Sequence, residues 1–428
     1  MDLTTHEQAM LDGEHGPATQ LALRMVVALG QMVGAERLLP VTSAHIDSCL
    51  FHGQAGLDFA RRLADDGGQV VVPTTLNVSS LDLRHPDLVR LPTDEHRDAR
   101  ALMDAYTAMG CRPTWTCAPY QLADRPSFGE HLAWAESNAI VFANSMLGAR
   151  TERYGDFIDI CAALTGRVPL SGLHLDVARR AEVVFDVREL PDALLADPVV
   201  FPLVGHVVGG RTGTKIPVIV GLPATATEDD GKALGAAAAS SGGVAMFHAV
   251  GITPEAPTLD AALQGRPAVE SIMVTTAMLL HARAALTTTD TTVLAAVSIG
   301  TPHFSVTEFE RLAALLSAAG APSQVPFYVS TGRDVLDEVA RRGLADGLLA
   351  AGIQIVTDTC TYVTPILDIG PGAVLTNSAK WAYYAPGNIG VDAVFASLGE
   401  CVASAVAGRV VLDPQLGAAH EPTPRSAP

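Results

Sequence analysis

The chain has 428 residues, of which 28 are Lys or Arg and 46 are Asp or Glu, a formal net charge of −18; 48% are hydrophobic and only 17% charged. That length allows two or three domains or one large α/β domain, and the apolar fraction is ample for a core, which excludes a disordered chain. The acidic balance leaves no basic stripe to release counterions from nucleic acid, so a nucleic-acid partner is excluded, whereas a small anionic substrate held by a few local cations is not. So little charge also means that the chain buries much of itself or hides apolar surface against a partner.

The amino-terminal MDLTTHEQAM has neither a basic region nor an apolar run, so no signal peptide is expected. Thr4 and Glu7 have the spacing of a capping box opening a first helix; Gly16-Pro17 interrupts it, and a second helix runs to about Gly34. Residues 38–46 read as strand, 57–65 as helix and 69–72 as strand ended by Pro73. Residues 97–109 read as helix, 113–117 as a short extended run, and 128–146 as one helix with Trp134, Ile140 and Val141 on its apolar side. Further strands are expected at 183–187, 216–221, 244–250, 293–299, 325–329 and 353–356, with helices at 271–285, 308–319 and 335–350 between them. The uncharged stretch 233–253 is long enough to suggest a membrane span, but Gly235, Ser240, Ser241, Gly242, Gly243 and His248 within it make it helix, loop and strand. Short apolar strands alternating with longer helices predict an α/β fold with mostly parallel sheets.

In such folds ligands bind beyond the carboxyl ends of the strands, and several of those junctions are unusually polar here. Ala44-His45-Ile46-Asp47-Ser48, Pro73-Thr74-Thr75-Leu76-Asn77 and Thr114-Trp115-Thr116-Cys117 follow early strands; Gly300-Thr301-Pro302-His303 and Thr357-Asp358-Thr359-Cys360 follow later ones. None of the six cysteines forms C-x-x-C, and they are too sparse for a disulfide scaffold, which fits a reduced, cytoplasmic protein. Cys117 and Cys360 fit either of two readings, iron ligands or small buried residues. Cys49, Cys161 and Cys401 read as core residues, and Cys111 is a weak further candidate. The run Gly209–Lys215 does not fit G-x-x-x-x-G-K-[ST], although Arg211 and Lys215 could hold a carboxylate; no G-x-S-x-G and no H-E-x-x-H is present. Lys380 reads as a solvated or carboxylate-binding lysine before it reads as a Schiff-base former.

Taken together, the blocks AHI (44–46), VPTTLN (72–77), PTWTCAPY (113–120), WAESNA (134–139), ANSMLGART (143–151), GLH (172–174), FHAVGITPEA (247–256), GTPHFS (300–305), TDTC (357–360) and TNSAK (376–380) resemble the catalytic, large-subunit domain of the aconitase X family. The resemblance runs from about Thr4 to about Val411. It implies an aconitase-like arrangement of repeated α/β units over residues 1–411, with subdomain boundaries that no linker marks, and a disordered tail over 412–428. It also implies an iron-dependent hydro-lyase acting on a small hydroxy acid, since known activities of the family include dehydration of cis-3-hydroxy-L-proline and of phosphomevalonate. Iron ligands then fall on Cys117 and Cys360, with Thr301 standing where cluster-binding members carry a third cysteine. That favours a 2Fe–2S cluster or a mononuclear iron over 4Fe–4S, and a hydroxyproline-type substrate over phosphomevalonate. The family further implies a small swivel domain, fused in some members and a separate subunit in others; a separate subunit that closes the cleft is expected here, and by analogy with the superfamily it carries the base.

Dehydration needs an electrophile at the leaving hydroxyl, a base for the α-proton and donors for the carboxylate. With iron as the electrophile, the expected roles are proton handling by His45 or His303, substrate contacts from Thr74, Thr75, Asn77, Ser137, Asn138 and Arg150, and carboxylate binding by Lys380 and Ser378. The competing readings are helix caps or turn bonds for the Ser and Thr residues, buried hydrogen-bonded imidazoles for the histidines, and a structural ion pair for Arg150. Phosphomevalonate or another hydroxy acid is the alternative substrate, and a non-catalytic subunit that has lost its iron is the alternative of another class.

Overall fold

Three parallel sheets follow one another along the chain, and helices cover their faces. The structure is a computed structural model that describes residues 1–413; most of the tail expected over 412–428 lies outside the described residues. The first sheet orders its strands Thr74–Leu76, Ser43–Ile46, Leu132–Trp134, all parallel. Helices Pro17–Met32, Gln54–Asp65, Thr93–Ala108 and Ile158–Thr165 pack around it through Leu23, Leu57, Leu102, Tyr106 and Ile160. The second sheet runs His248–Ala249, Pro217–Val220, Val183–Asp186, Glu270–Met273. The third runs Ile353–Val356, Phe327–Thr331, Leu294–Phe304, Ala373–Thr376, Ala393–Phe395. Central strands such as Leu294–Phe304 are buried on both faces, which is why their sequences lack strict alternation.

Helices Val200–Thr212 and Glu228–Gly242 lie between the second and third sheets, and one core joins Phe185, Leu203, Leu234, Tyr328 and Trp381 across them. These two helices approach closely because glycines face each other. A Cβ on Gly242 would sit 1.8 Å from the Gly209 carbonyl oxygen, so any larger residue there forces the helices apart.

The expected capping box opens helix Thr5–Asp12, with Glu7 N–H donating to Thr4 Oγ1. Six expected elements differ. Of the strand expected over 244–250 only His248–Ala249 forms. Residues 38–46 form two strands: Leu38–Pro40 leaves to pair antiparallel with Arg167–Pro169, and Ser43–Ile46 enters the first sheet. Residues 69–72 are a loop whose amides bond isolated carbonyls (Val70 to Met109, Val71 to Ala163), and the strand lies after Pro73, at Thr74–Leu76. Residues 128–146 divide into strand Leu132–Trp134, helix Ser137–Phe142 and a wider turn Ala143–Leu147. Residues 271–285 divide into the edge strand Glu270–Met273 and helix Thr276–Ala285. The helix expected over 335–350 breaks at Gly343, which adopts φ 72°, into Arg333–Arg341 and Ala345–Ala350. In the last three cases one apolar periodicity runs through a change of element, which short strands cannot signal. No described helix is long and apolar enough to cross a membrane.

Candidate active site

Cys117 and Cys360 arrive from different sheets. Residues 114–117 run beside the edge strand Thr74–Leu76, held by Thr114 Oγ1 to the Leu76 carbonyl at 2.8 Å and by Thr116 N–H to the same oxygen at 3.1 Å. Cys360 follows strand Ile353–Val356 of the third sheet on a loop tied to the first unit. Thr357 N–H and Oγ1 donate to Asp82 at 2.8 and 2.9 Å, and Ser79 N–H donates to the Asp358 carbonyl at 2.7 Å. Arg333 grips the Asp358 carboxylate at 2.5 and 2.6 Å, which fixes a residue with φ 63°. The third contributor, His303, lies on an irregular stretch of the central strand. Gly300 has φ 87°, and a Cβ there would meet the Ser330 oxygen at 2.2 Å, so only glycine lets the chain leave the ladder and carry Thr301 and His303 toward the sulfurs.

The ligand atoms of Cys117, His303 and Cys360 all lie within 4.8 Å of one another, fully buried. The neighbouring Cys117 thiol, together with burial, pushes the Cys360 thiol up. The His303 backbone N–H donates to Cys117 Sγ at 3.3 Å. Both ring nitrogens of His303 are committed. Nε2 meets the Thr359 carbonyl at 3.2 Å and therefore carries the proton, and Nδ1 meets Thr116 Oγ1 at 3.0 Å, a hydroxyl that accepts from Ala118 N–H. Burial lowers this imidazole to about 4. His303 thus supports the cysteine loop through its backbone while its ring is neutral and saturated.

A soft, buried two-thiol donor set fits iron, and Thr301 Oγ1 is buried without a hydrogen-bond partner, as a spare hard donor would be. Thr301 lines a cavity of about 30 Å³ with Ser378, Lys380 and Lys232, room for about one water. Lys380 is buried and its ammonium donates to Glu136. Burial pulls the Lys380 ammonium down and Glu136 more than offsets it, so it stays charged; burial pushes the Glu136 carboxyl up, but Lys380 and the Ala139 and Asn138 amides hold it below its usual value. Lys380 is therefore not a solvated lysine.

His45 is fully buried, with Nδ1 on Thr75 Oγ1 at 2.8 Å and Nε2 without a partner; burial lowers it to about 4. Asn138 donates to the Cys117 carbonyl at 3.0 Å and Tyr120 Oη at 2.9 Å, which leaves Oδ1 without a partner. Asn77 donates to Asp47 and likewise leaves Oδ1 free. Ser137 Oγ reaches Glu136 at 3.4 Å. Other expected contacts are occupied structurally. Thr74 Oγ1 makes a turn bond to the Val72 carbonyl at 2.8 Å, and Ser378 caps helix Ala379–Ile389 by accepting from Trp381 N–H at 3.0 Å while donating to the Thr301 carbonyl. Arg150 is at the wrong end of the first sheet: its carbonyl accepts from Leu132 N–H at the amino end of that strand, and its guanidinium bonds the His174 carbonyl and Asp176. Two residues without an assigned role, Asp47 and Glu136, stand at the carboxyl edge beside the expected ones. The signal that could have found Glu136 is its polarity at a strand end, hidden because residues 128–146 read as one helix.

Descriptions of the Aconitase X first, second and third domains match residues 1–177, 181–284 and 294–407, one for each sheet. Over 410 residues the chain is 43% identical to a cis-3-hydroxy-L-proline dehydratase of Pseudomonas aeruginosa, covering 95% of this chain and 70% of that protein. It is 41% identical to a protein of the same name from Hypocrea jecorina, covering 95% and 69%. It is 36% identical to the phosphomevalonate dehydratase large subunit of Methanothermobacter thermautotrophicus, covering 91% and 95%. The crystal structure of Thermococcus kodakaraensis aconitase X in its holo-form superposes with a TM-score of 0.85 at 32% identity, covering 95% of this chain and all of that one. The chain belongs to the aconitase X family.

Proposed function

We propose that this chain is the catalytic piece of an iron-dependent hydro-lyase that dehydrates cis-3-hydroxy-L-proline to pyrroline-2-carboxylate. The observation that carries the reading is the meeting of the Cys117 and Cys360 thiols, from two different sheets, beside the buried Lys380–Glu136 pair; the two hydroxyproline dehydratases, at 43% and 41% identity, support the substrate. Cys117 and Cys360 would hold the iron, with Thr301 as a third, oxygen donor, as a single iron or a 2Fe–2S cluster. Such a centre supplies a Lewis acid for the leaving hydroxyl. Lys380 binds the substrate carboxylate as charge develops on it, His45 exchanges a proton at Nε2, and Ser137 and Asn138 bound the pocket from the first turn of their helix. His303 holds the Cys117 sulfur through its backbone amide.

A swivel piece on a partner subunit closes the cleft and brings the base for the α-proton; the name "large subunit" carried by the archaeal relative supports this. Six free cysteines support a reducing compartment such as the cytoplasm. Phosphomevalonate is the second reading, favoured by the match along 95% of that large subunit.

The test is anaerobic co-expression with the small subunit, with iron quantitation, EPR and assays of water loss on both substrates. Iron near one or two atoms per chain and turnover of hydroxyproline are expected, with Cys117→Ser and Cys360→Ser falling to background in both. Iron-free protein that is active, or variants that keep full activity, would overturn the metal reading; turnover of phosphomevalonate alone would replace the substrate.

A further inference from the structure

The carboxyl edge of the first sheet carries an ordered row of acceptors. Ile46 pairs with Leu76, and His45 pairs with Trp134. Carried on from those pairings, the register sets Asp47 opposite Asn77 on one side and Glu136 on the other. The ladder bonds support the extension: Asn77 N–H donates to the Ile46 carbonyl at 2.9 Å and Ala135 N–H to the His45 carbonyl at 3.2 Å. Neighbouring strands lie about 4.8 Å apart, so Asn77, Asp47 and Glu136 form one row, with Thr75, His45 and Trp134 in the row beneath. The Asn77–Asp47 hydrogen bond and the Thr75–His45 bond confirm that side chains within each row meet.

This row presents more acceptors than the protein uses. Asn77 is 3% exposed, and its amide nitrogen is spent on the Asp47 carboxylate, which fixes the amide orientation and leaves Oδ1 with no donor. A buried carbonyl oxygen without a partner is unfavourable, so a donor from elsewhere is the natural complement. Asp47 itself sits beside Glu136, and burial followed by that neighbouring charge pushes its carboxyl up to about 7. Two carboxylates and an orphaned amide oxygen side by side, with one lysine across from them, do not suit a dianion. They suit a cation that carries its own anion.

We infer that Asp47 and Asn77 receive the secondary ammonium of the substrate, while Lys380, facing Glu136, receives its carboxylate. A cyclic imino acid carries two N–H donors on its ring nitrogen, and the row offers two adjacent acceptors for them, the Asp47 carboxylate and Asn77 Oδ1. The zwitterion then sets its carboxylate against Lys380 and its ammonium against Asp47, each end meeting the opposite sign. The site selects for a ring nitrogen and against hydroxy acids without one, which deepens the hydroxyproline reading and rests on it.

Calorimetric titration of the full chain with L-proline and with cyclopentanecarboxylate, which keeps the ring and carboxylate but lacks the nitrogen, tests this directly. L-Proline is expected to bind at least tenfold more tightly. In Asp47→Asn and in Asn77→Ala that preference falls to twofold or less, while cyclopentanecarboxylate affinity stays within twofold. Equal binding of the two ligands, no binding of L-proline, or a preference retained in either folded variant would overturn the assignment; if Asp47→Asn does not fold, Asn77→Ala decides. Turnover of cis-3-hydroxy-L-proline is read separately. Its absence counts against the proposed function alone, and an intact turnover with an unaltered proline preference in the variants counts against the ammonium receptor alone.

Discussion

Two lysines, Lys232 and Lys380, are buried beside the same small cavity, and they are held in opposite ways. An ammonium has three N–H donors. Lys232 spends them on Glu308, on Asp229 at 2.9 Å and on the His303 carbonyl at 3.4 Å, and the two carboxylates are themselves bonded by Ser305 through Oγ at 2.7 Å and N–H at 2.8 Å. Lys380 has one hydrogen-bond partner among the described residues, Glu136. The histidines repeat the contrast. His174 uses both ring nitrogens, on His131 at 2.9 Å and Tyr154 Oη at 2.6 Å, whereas His45 keeps Nε2 without a partner. Burial alone does not separate the two lysines or the two histidines; spare hydrogen-bonding valence does.

The strongest challenge to that contrast is Lys232→Met. Removing the cation leaves two buried carboxylates uncompensated, and chemical denaturation is expected to show a loss of about 3–5 kcal/mol; a loss below about 1 kcal/mol would mean that Lys232 is not a structural pair. Lys380→Met is expected to behave in the other way. Lys380 neutralises one buried carboxylate where Lys232 neutralises two, and Glu136 keeps its bond from Ala139 N–H at 2.7 Å, so stability falls less, while kcat/KM drops about a hundredfold, a barrier rise of about 2.7 kcal/mol. A Lys380 variant with normal kinetics would erase the distinction.

The histidines sharpen it through pH. His174 is lowered to about 3 by burial, with His131 and nearby arginines adding to it, against 6.5 for the unfolded chain. Its folded pKa lies below its unfolded one, so its contribution is complete above pH 6.5 and is lost as pH falls toward 3. Relative to His174→Phe, the wild type is expected to lose about 2 kcal/mol between pH 7.5 and pH 5, read from denaturant midpoints at each pH; parallel curves would contradict it. The smallest effect belongs to Ser378, whose Oγ caps a helix: Ser378→Ala is expected to cost about 1 kcal/mol in thermal or denaturant unfolding. A Ser378→Ala enzyme that keeps its stability and loses turnover would move Ser378 to the functional side.

The alternation of strand and helix was legible because buried parallel strands leave short Val- and Ile-rich runs bounded by Gly, Pro and polar residues, between longer segments of helical periodicity. The loops bearing Cys117, His303 and Cys360 were legible for a related reason, since clusters of Thr, Ser and Asn directly after such runs are unusual in so apolar a chain. That the two cysteines belong with iron came only from the resemblance, because nothing in their spacing, 243 residues apart, says that they meet. Glu136 was hidden by a three-residue strand fused in pattern to the helix after it, and as an N-cap it is a residue type that caps rarely. Ser378 and Arg150 carried two readings each, substrate contact or structural bond, and the sequence could not choose between them. Polarity marks them in the sequence, but whether a polar group is spent on the protein itself is a property of the fold, and both are.

The loop that carries Cys360 belongs by sequence to the third unit, yet Asp82 and Ser79 of the first unit hold its backbone. Whatever bridges Cys117 and Cys360 therefore also staples two units that are otherwise more than a hundred residues apart along the chain. By mass action, ligation that requires both sulfurs in place adds RT ln(1 + [L]/Kd) to the free energy of keeping those units docked. With the proposed iron held there, assembly of the first and third units and occupancy of the site between them would be one equilibrium, and starving the protein of iron would be felt first as a loosening of that seam.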